Sequence, residues 1–137
     1  MSFVLDNSIA IAWCFEDEQT PATLALLQRV AETGAVAPAL WPLEAVNALL
    51  AAERRGRLDP VRRQRLMGFL RALPVTIDTD TASQAWSETA GLAARYGLSS
   101  YDAAYLELAY RRVLPLASLD GALRTAAESL GVALLGT

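Results

Sequence analysis

Short apolar runs alternate with longer stretches of helical period along the whole chain. Phe3-Val4-Leu5, closing on Asp6, reads as a buried strand, with a short helix through Ile9–Trp13 after it. Thr20-Pro21 has the form of a helix start, an N-cap followed by proline in the first turn, and Gly34 follows the helix end. Ala35-Val36-Ala37 is a second strand. Pro42 opens a helix that runs to about Arg55 and stops at Gly56; Asp59-Pro60 opens another that reaches about Leu73 before Pro74. Val75-Thr76-Ile77-Asp78 is the third strand, and Thr81 to Tyr96 a long helix closed by Gly97. Ser100 caps a helix through Arg112, Leu116-Ala117-Ser118 is the fourth strand, Gly121 to Leu130 a helix closed by Gly131, and Val132–Leu135 the last strand. No hairpin dipeptide joins the strands, so crossover connections and a parallel sheet buried on both faces are expected. The pattern predicts a three-layer α/β/α sandwich with a mainly parallel five-stranded sheet, one domain over residues 1–137. The helices between Pro42 and Leu73 have no strand between them, so one is expected to project as an arm.

Composition then removes most catalytic chemistry. Histidine is absent, which excludes Ser-His-Asp and Cys-His catalysis and histidine zinc sites. All 12 basic residues are arginine, so Schiff-base chemistry and the lysine of a phosphate-binding loop are excluded too. The one cysteine, Cys14, forms no internal disulfide and reads as a packed thiol. The 15 acidic residues remain, and carboxylates without imidazole or ammonium suit hard cations such as Mg²⁺ or Mn²⁺. A net charge of −3 argues against a general nucleic-acid coat but not against an enzyme holding a polyanion through a metal. No apolar run approaches the ~20 residues that a membrane span needs. No basic leader precedes the first strand, so a soluble cytoplasmic protein is expected.

In a parallel sheet the strand C-termini and the following helix N-termini share the edge where ligands bind. Asp6 ends the first strand and Asp120 lies just beyond the fourth; Glu44 and Asp102 fall in the first turns of the Pro42 and Ser100 helices. Four acids distant in sequence are thus expected on one edge. Singly, Glu44 and Asp102 are explained by the helix dipole and Asp120 by capping. Asp6 is harder to dismiss, because it ends an apolar strand where burying a charge is costly. Asp78 and Asp80 are assigned to structure. Asn47, three residues after Glu44, shares its helical face in otherwise apolar surroundings.

These residues, in this order, resemble the PIN-domain nucleases, and specifically the VapC-type toxins of bacterial toxin–antitoxin pairs. Val4-Leu5-Asp6-Asn7-Ser8, with Trp13 and Glu16 following, is similar to the first motif of that family, and Glu44-Ala45-Val46-Asn47 to the second. Ser100-Tyr101-Asp102-Ala103-Ala104-Tyr105 is similar to the third. Leu116-Ala117-Ser118-Leu119-Asp120 is similar to the fourth, with Ser118 where threonine is more usual. The resemblance implies a metal-dependent endoribonuclease in which Asp6 and Asp102 bind Mg²⁺ or Mn²⁺ and Asp120 is a further ligand, directly or through water. Glu44 would complete the acidic pocket, and Ser8, Asn47 and Ser118 would orient the carboxylates. It further implies hydrolysis by metal-activated water, leaving a 5′-phosphate and a 3′-hydroxyl. The implied partners are an RNA substrate, a cognate VapB-type antitoxin and a second copy of the chain in a homodimer.

Arg54, Arg55, Arg57, Arg62, Arg63 and Arg65 gather around the turn between the two consecutive helices. They read either as a solvated face with dipole partners or as an RNA-backbone clamp or antitoxin contact, for which Arg54, Arg55 and Arg57 are the candidates. Trp41 and Trp86 read as core or dimer interface, and Glu16-Asp17-Glu18 as an exposed acidic loop. A second reading keeps the PIN-like fold as a catalytically silent RNA-binding or scaffold module. A third, a haloacid-dehalogenase-like phosphatase, wants an acid where Ser8 stands and a lysine the chain lacks.

Overall fold

Each strand but the last is followed by at least one helix, which is what a parallel sheet requires. In the computed structural model, which describes residues 2–137, β1 (Val4–Leu5) leads into α1 (Asn7–Ala12), a 3₁₀ turn at Glu16–Glu18 and α2 (Pro21–Thr33). β2 (Ala35–Ala37) leads into α3 (Trp41–Arg54) and α4 (Pro60–Ala72). β3 (Val75–Ile77) is followed by α5 (Thr81–Gln84), a π turn at Ala85–Thr89, α6 (Ala90–Tyr96) and α7 (Ser100–Arg112). β4 (Leu116–Ala117), α8 (Gly121–Leu130) and β5 (Leu134–Leu135) complete the chain. Every pairing is parallel, and the strand order is β3-β2-β1-β4-β5. α1 packs on α3 and α3 on α4, whereas α7 packs on β1, β4, α6 and α8. With right-handed crossovers this puts the helices before β3 on one face and those after it on the other. The fold is the α/β/α sandwich with a five-stranded parallel sheet that the alternation predicts.

The central strands are as dry as their composition asks. Val4, Leu5, Leu116 and Ala117 are fully buried, each branched aliphatic contributing about 1.5–3 kcal/mol. β3 departs from the expectation of two buried faces. It is an edge strand, and Thr76 and Ile77 are exposed. The helix from Thr81 to Tyr96 is interrupted by the π turn, which leaves Trp86 93 % exposed rather than in the core. Ser99, not Ser100, caps α7, accepting the backbone N–H of Asp102 at 3.0 Å. Thr20 caps α2 in a reciprocal box with Thr23, as Thr20-Pro21 predicts. Among the described residues no helix is long and apolar enough to cross a membrane.

Strand order, more than any single residue, locates the site. From β1 the chain steps outward through β2 to β3, then returns to the other side of β1 as β4. The crevice at a topological switch point of this kind opens beyond the C-terminal ends of β1 and β4, where Asp6 and Ser118 lie.

Candidate active site

Asp6 follows β1 directly and is 4 % exposed. Two hydroxyls hold it: Ser8 Oγ at 2.5 Å and Ser118 Oγ at 2.8 Å both donate to Oδ2. Each hydroxyl also accepts a backbone N–H from the β4–α8 connection, Ser8 from Leu119 at 2.9 Å and Ser118 from Asp120 at 3.0 Å. A hydroxyl has one proton, so accepting an N–H there leaves that proton for Asp6. Among the described residues no side-chain donor reaches Oδ1. Ser118 is fixed in turn, because Arg124 Nη1 donates to its carbonyl at 2.8 Å and to that of Leu135 at 2.9 Å. Gly136, at φ +112°, lies so close that a Cβ there would stand 3.2 Å from the Ser118 carbonyl and 3.0 Å from Ile9 Cδ1.

The other three acids come from helix starts on the same edge. Glu44 is in the first turn of α3 and Asp102 in the first turn of α7. One turn beyond Asp102, Tyr105 Oη donates to Glu44 Oε1 at 2.6 Å. Asp120 caps α8, accepting the backbone N–H of Leu123 at 2.8 Å, so the capping role open in the sequence is filled.

The charges of these groups register on one another. Burial raises the Asp6 carboxyl above the usual carboxylate range, against the pull of Ser8 and Ser118. Glu44 is raised by burial and then by the charges of Asp6 and Asp102, with Tyr105 opposing. Asp102 is raised by burial and then by Asp120 and Asp6. Asp6, Glu44, Asp102 and Asp120 therefore share one electrostatic neighbourhood.

They do not form a closed cage. Among the described residues no three acids or thiols meet closely enough to enclose an ion. The four acids offer oxygen donors only, and Mg²⁺ keeps several waters and takes one or two carboxylates, with substrate phosphate completing its shell. The donor set is all hard oxygen, which points the same way. Asn7 adds an independent sign: its Oδ1 is buried and has no hydrogen-bond partner, so the site lacks a donor that a cation's water can supply. The residues present thus fit a hydrated divalent cation.

Beside the acids runs an open groove of about 440 Å³, with Asn7, Ser8, Glu18, Ala48, Leu119 and Asp120 among its lining. A larger hollow of about 580 Å³ lies elsewhere, between α3, α4 and β3; it is apolar, with Trp41, Met67 and Leu70 in its wall and Arg71 at its side, and holds none of the four acids. Of the two, only the smaller groove is lined by one of the four acids, Asp120.

Several sequence candidates find partners that spacing does not reveal. Arg57 stacks over Phe15, 4.1 Å from the ring centroid, and pairs with Asp17 at 2.9 Å and Glu18 at 2.8 Å. Arg54 and Arg55 are exposed. Asn47 is exposed and hydrogen-bonds none of the four acids, unlike Ser8 and Ser118. Glu16-Asp17-Glu18 is a 3₁₀ turn whose Glu18 lines the groove, so it is more than a solvated loop. Tyr105, Asn7 and Glu18 are the groups that sequence reasoning left out of the site. A polar residue in the apolar face of α7 is the signal that marks Tyr105; Glu18 carries none. Cys14 is buried, its thiol pushed up to about 11 chiefly by burial, and Trp41 is in the core, both as expected.

Comparison with known proteins agrees with this architecture. The structure is similar to that of PAE2754 from Pyrobaculum aerophilum, with TM-score 0.70 and 22 % identity over 98 % of this chain and 89 % of that one. FitAcB from Neisseria gonorrhoeae is similar with TM-score 0.68 and 15 % identity over 99 % and 97 %. VapBC2 from Rickettsia felis, bound to a DNA fragment from their promoter, is similar with TM-score 0.68 and 10 % identity over 99 % and 98 %. At these identities the likeness establishes the fold. No curated protein sequence matches. The PIN domain family model matches residues 3–129, and the chain belongs to the PIN domain family.

Proposed function

We propose that this PIN domain is a metal-dependent endoribonuclease and the toxin of a toxin–antitoxin pair. The observation that carries the reading is the buried Asp6, oriented through Oδ2 by Ser8 and Ser118 at the switch point and sharing its field with Glu44, Asp102 and Asp120. No arginine pairs with Asp6 among the described residues, and a buried carboxylate without a partner charge costs several kcal/mol. A cation is the partner that this position asks for. Asp6 and Asp102 would hold Mg²⁺ or Mn²⁺, with Asp120 as a further ligand, directly or through water. The bound ion supplies Lewis acidity, making water a stronger acid and offsetting charge on phosphoryl oxygens. Ser8 and Ser118 keep Asp6 from turning. Glu44 would complete the acidic pocket through the ion's water, and its raised carboxyl suits it to take up the proton that an attacking water gives up. Exposed Arg54 and Arg55 would bind phosphates of the RNA.

The fold likeness to FitAcB and VapBC2 supports a VapB-type antitoxin as partner. The apolar hollow between α3, α4 and β3, with Arg71 beside it, suits a partner segment that carries apolar and acidic residues. The reading also takes the chain as one half of a cytoplasmic homodimer, which light scattering of the purified protein checks.

Purified protein is expected to cut structured RNA in Mg²⁺ or Mn²⁺, leaving 5′-phosphate ends, and to stop in EDTA. Asp6→Asn or Asp102→Asn should lower cleavage at least ~100-fold, the scale of losing a metal ligand or its orienting partner. Full activity in either variant overturns the metal assignment. Expression without an antitoxin should arrest growth; harmless expression of a chain that cuts RNA removes the toxin role. Because among the described residues no three acids form a closed cage, a silent RNA-binding module is the second reading. Tight RNA binding with no new ends in Mn²⁺ would favour it.

A further inference from the structure

We propose that Tyr105 is a positioning residue for Glu44: its buried phenol holds Oε1 and so fixes the remaining carboxylate oxygen relative to Asp102, which stands on the same helix. The inference rests on the metal-nuclease reading and adds a residue to it. Tyr105 and Asp102 lie three residues apart on α7, hence on neighbouring positions of one helical face. Glu44 starts α3, on the opposite face of the sheet from α7, and apart from the phenol no side chain donates to it among the described residues.

A glutamate has three rotatable side-chain bonds, and half-buried Glu44 would otherwise sample several rotamers. Tyr105 is fully buried and its ring is packed in the core, so its hydroxyl is a fixed point. The 2.6 Å separation is that of a charge-assisted O–H···O⁻ bond. Phenylalanine would fill the same core volume, and among the described residues Glu44 is the hydroxyl's one hydrogen-bond partner. Burial, the hydrogen bond to Glu44 and the surrounding carboxylates keep the phenol well above its ordinary pKa, so it remains a donor and does not act as a base. The device resembles the hydroxyl clamps on Asp6 but is built across layers rather than within one edge.

Calorimetric titration of Mn²⁺ into metal-stripped wild type, Tyr105→Phe, Glu44→Gln and the double variant tests this, with melting temperatures and RNA cleavage kinetics alongside. Tyr105→Phe should weaken Mn²⁺ binding about tenfold, the lower end for loss of an orienting partner. It should also lower kcat while leaving KM for RNA within about twofold. The double variant should bind no more weakly than Glu44→Gln alone, because the amide already lacks the charged oxygen that the phenol positions. Glu44→Asp, which keeps the charge but withdraws it from the phenol, should match Glu44→Gln; this arm stands even if Tyr105→Phe does not fold. A lowered melting temperature with wild-type Mn²⁺ affinity, additive losses, or wild-type binding by Glu44→Asp each overturn the proposal. Absence of saturable Mn²⁺ binding in the wild type overturns the underlying metal reading instead, and this inference with it.

Discussion

Asp102 makes no side-chain hydrogen bond among the described residues, yet burial and the charges of Asp120 and Asp6 hold its carboxyl above its ordinary range. The fold therefore disfavours its charged form. Stability from this group is fully present below the aspartate value of ~3.9 and is lost as pH rises through that value toward the raised one. Without metal at neutral pH, Asp102→Asn should raise the melting temperature by a few degrees, ~4 °C corresponding to ~1 kcal/mol at this size. Scanning fluorimetry in EDTA measures it, and a fall in melting temperature would speak against charge crowding. At this scale the acids were legible, because strand ends and helix first turns fix where Asp6, Glu44, Asp102 and Asp120 must lie. Partners distant in sequence were not. Tyr105 meets Glu44 across 61 positions and Arg57 meets Asp17 across 40, and no local spacing encodes either contact.

Among the elements, α7 has the most to organise. Its N-terminus carries Asp102, its second turn Tyr105, and its last turn Arg111, which ties the helix to the end of β3. Arg111 donates to Asp78 at 2.8 and 3.2 Å and to Glu107 at 2.8 and 3.0 Å, and both acids are nearly fully buried. Burial pushes the Asp78 carboxyl up, but hydrogen bonds from Arg111 and Thr81 and the guanidinium charge outweigh it, so the net position is below the ordinary range. Its contribution is present above ~3.9 and is lost as pH falls through the lowered value. Arg111→Met leaves two buried acids unpaired and should cost ~3 kcal/mol at pH 7. In that variant burial acts on Asp78 without the guanidinium to oppose it, so its deficit should narrow by pH 4.5; urea titrations at the two pH values compare them, and a constant deficit would contradict the account. Asp78 ends a strand as Asp6 does, and the Arg111 that sets it apart lies 33 positions away, so its role was not legible from position alone. Nor was the π turn at Ala85–Thr89, because its composition is that of an ordinary helix.

Alternation of strand and helix made the α/β/α layering legible for the molecule as a whole, but strand order was not. Order depends on which faces meet, and it is the return from β3 to β4 across β1 that creates the crevice. The arginine cluster shows the same division between composition and geometry. Arg57 is committed to the acidic 3₁₀ turn and Arg63 to Glu53, whereas Arg54 and Arg55 are exposed. Replacing Arg54 and Arg55 with serine should weaken RNA binding and reduce the slope of log affinity against log salt by roughly 1.4, about 0.7 per phosphate contact on a single strand. Fluorescence anisotropy over a salt series reads this, and an unchanged slope would place the RNA elsewhere. The central claim, that these acids hold a divalent cation, is tested most directly by anomalous X-ray diffraction at the manganese edge from crystals equilibrated with Mn²⁺. The account expects a peak within coordination distance of carboxylate oxygens of both Asp6 and Asp102. A well-bound manganese found only elsewhere, with those two side chains bare, would contradict it.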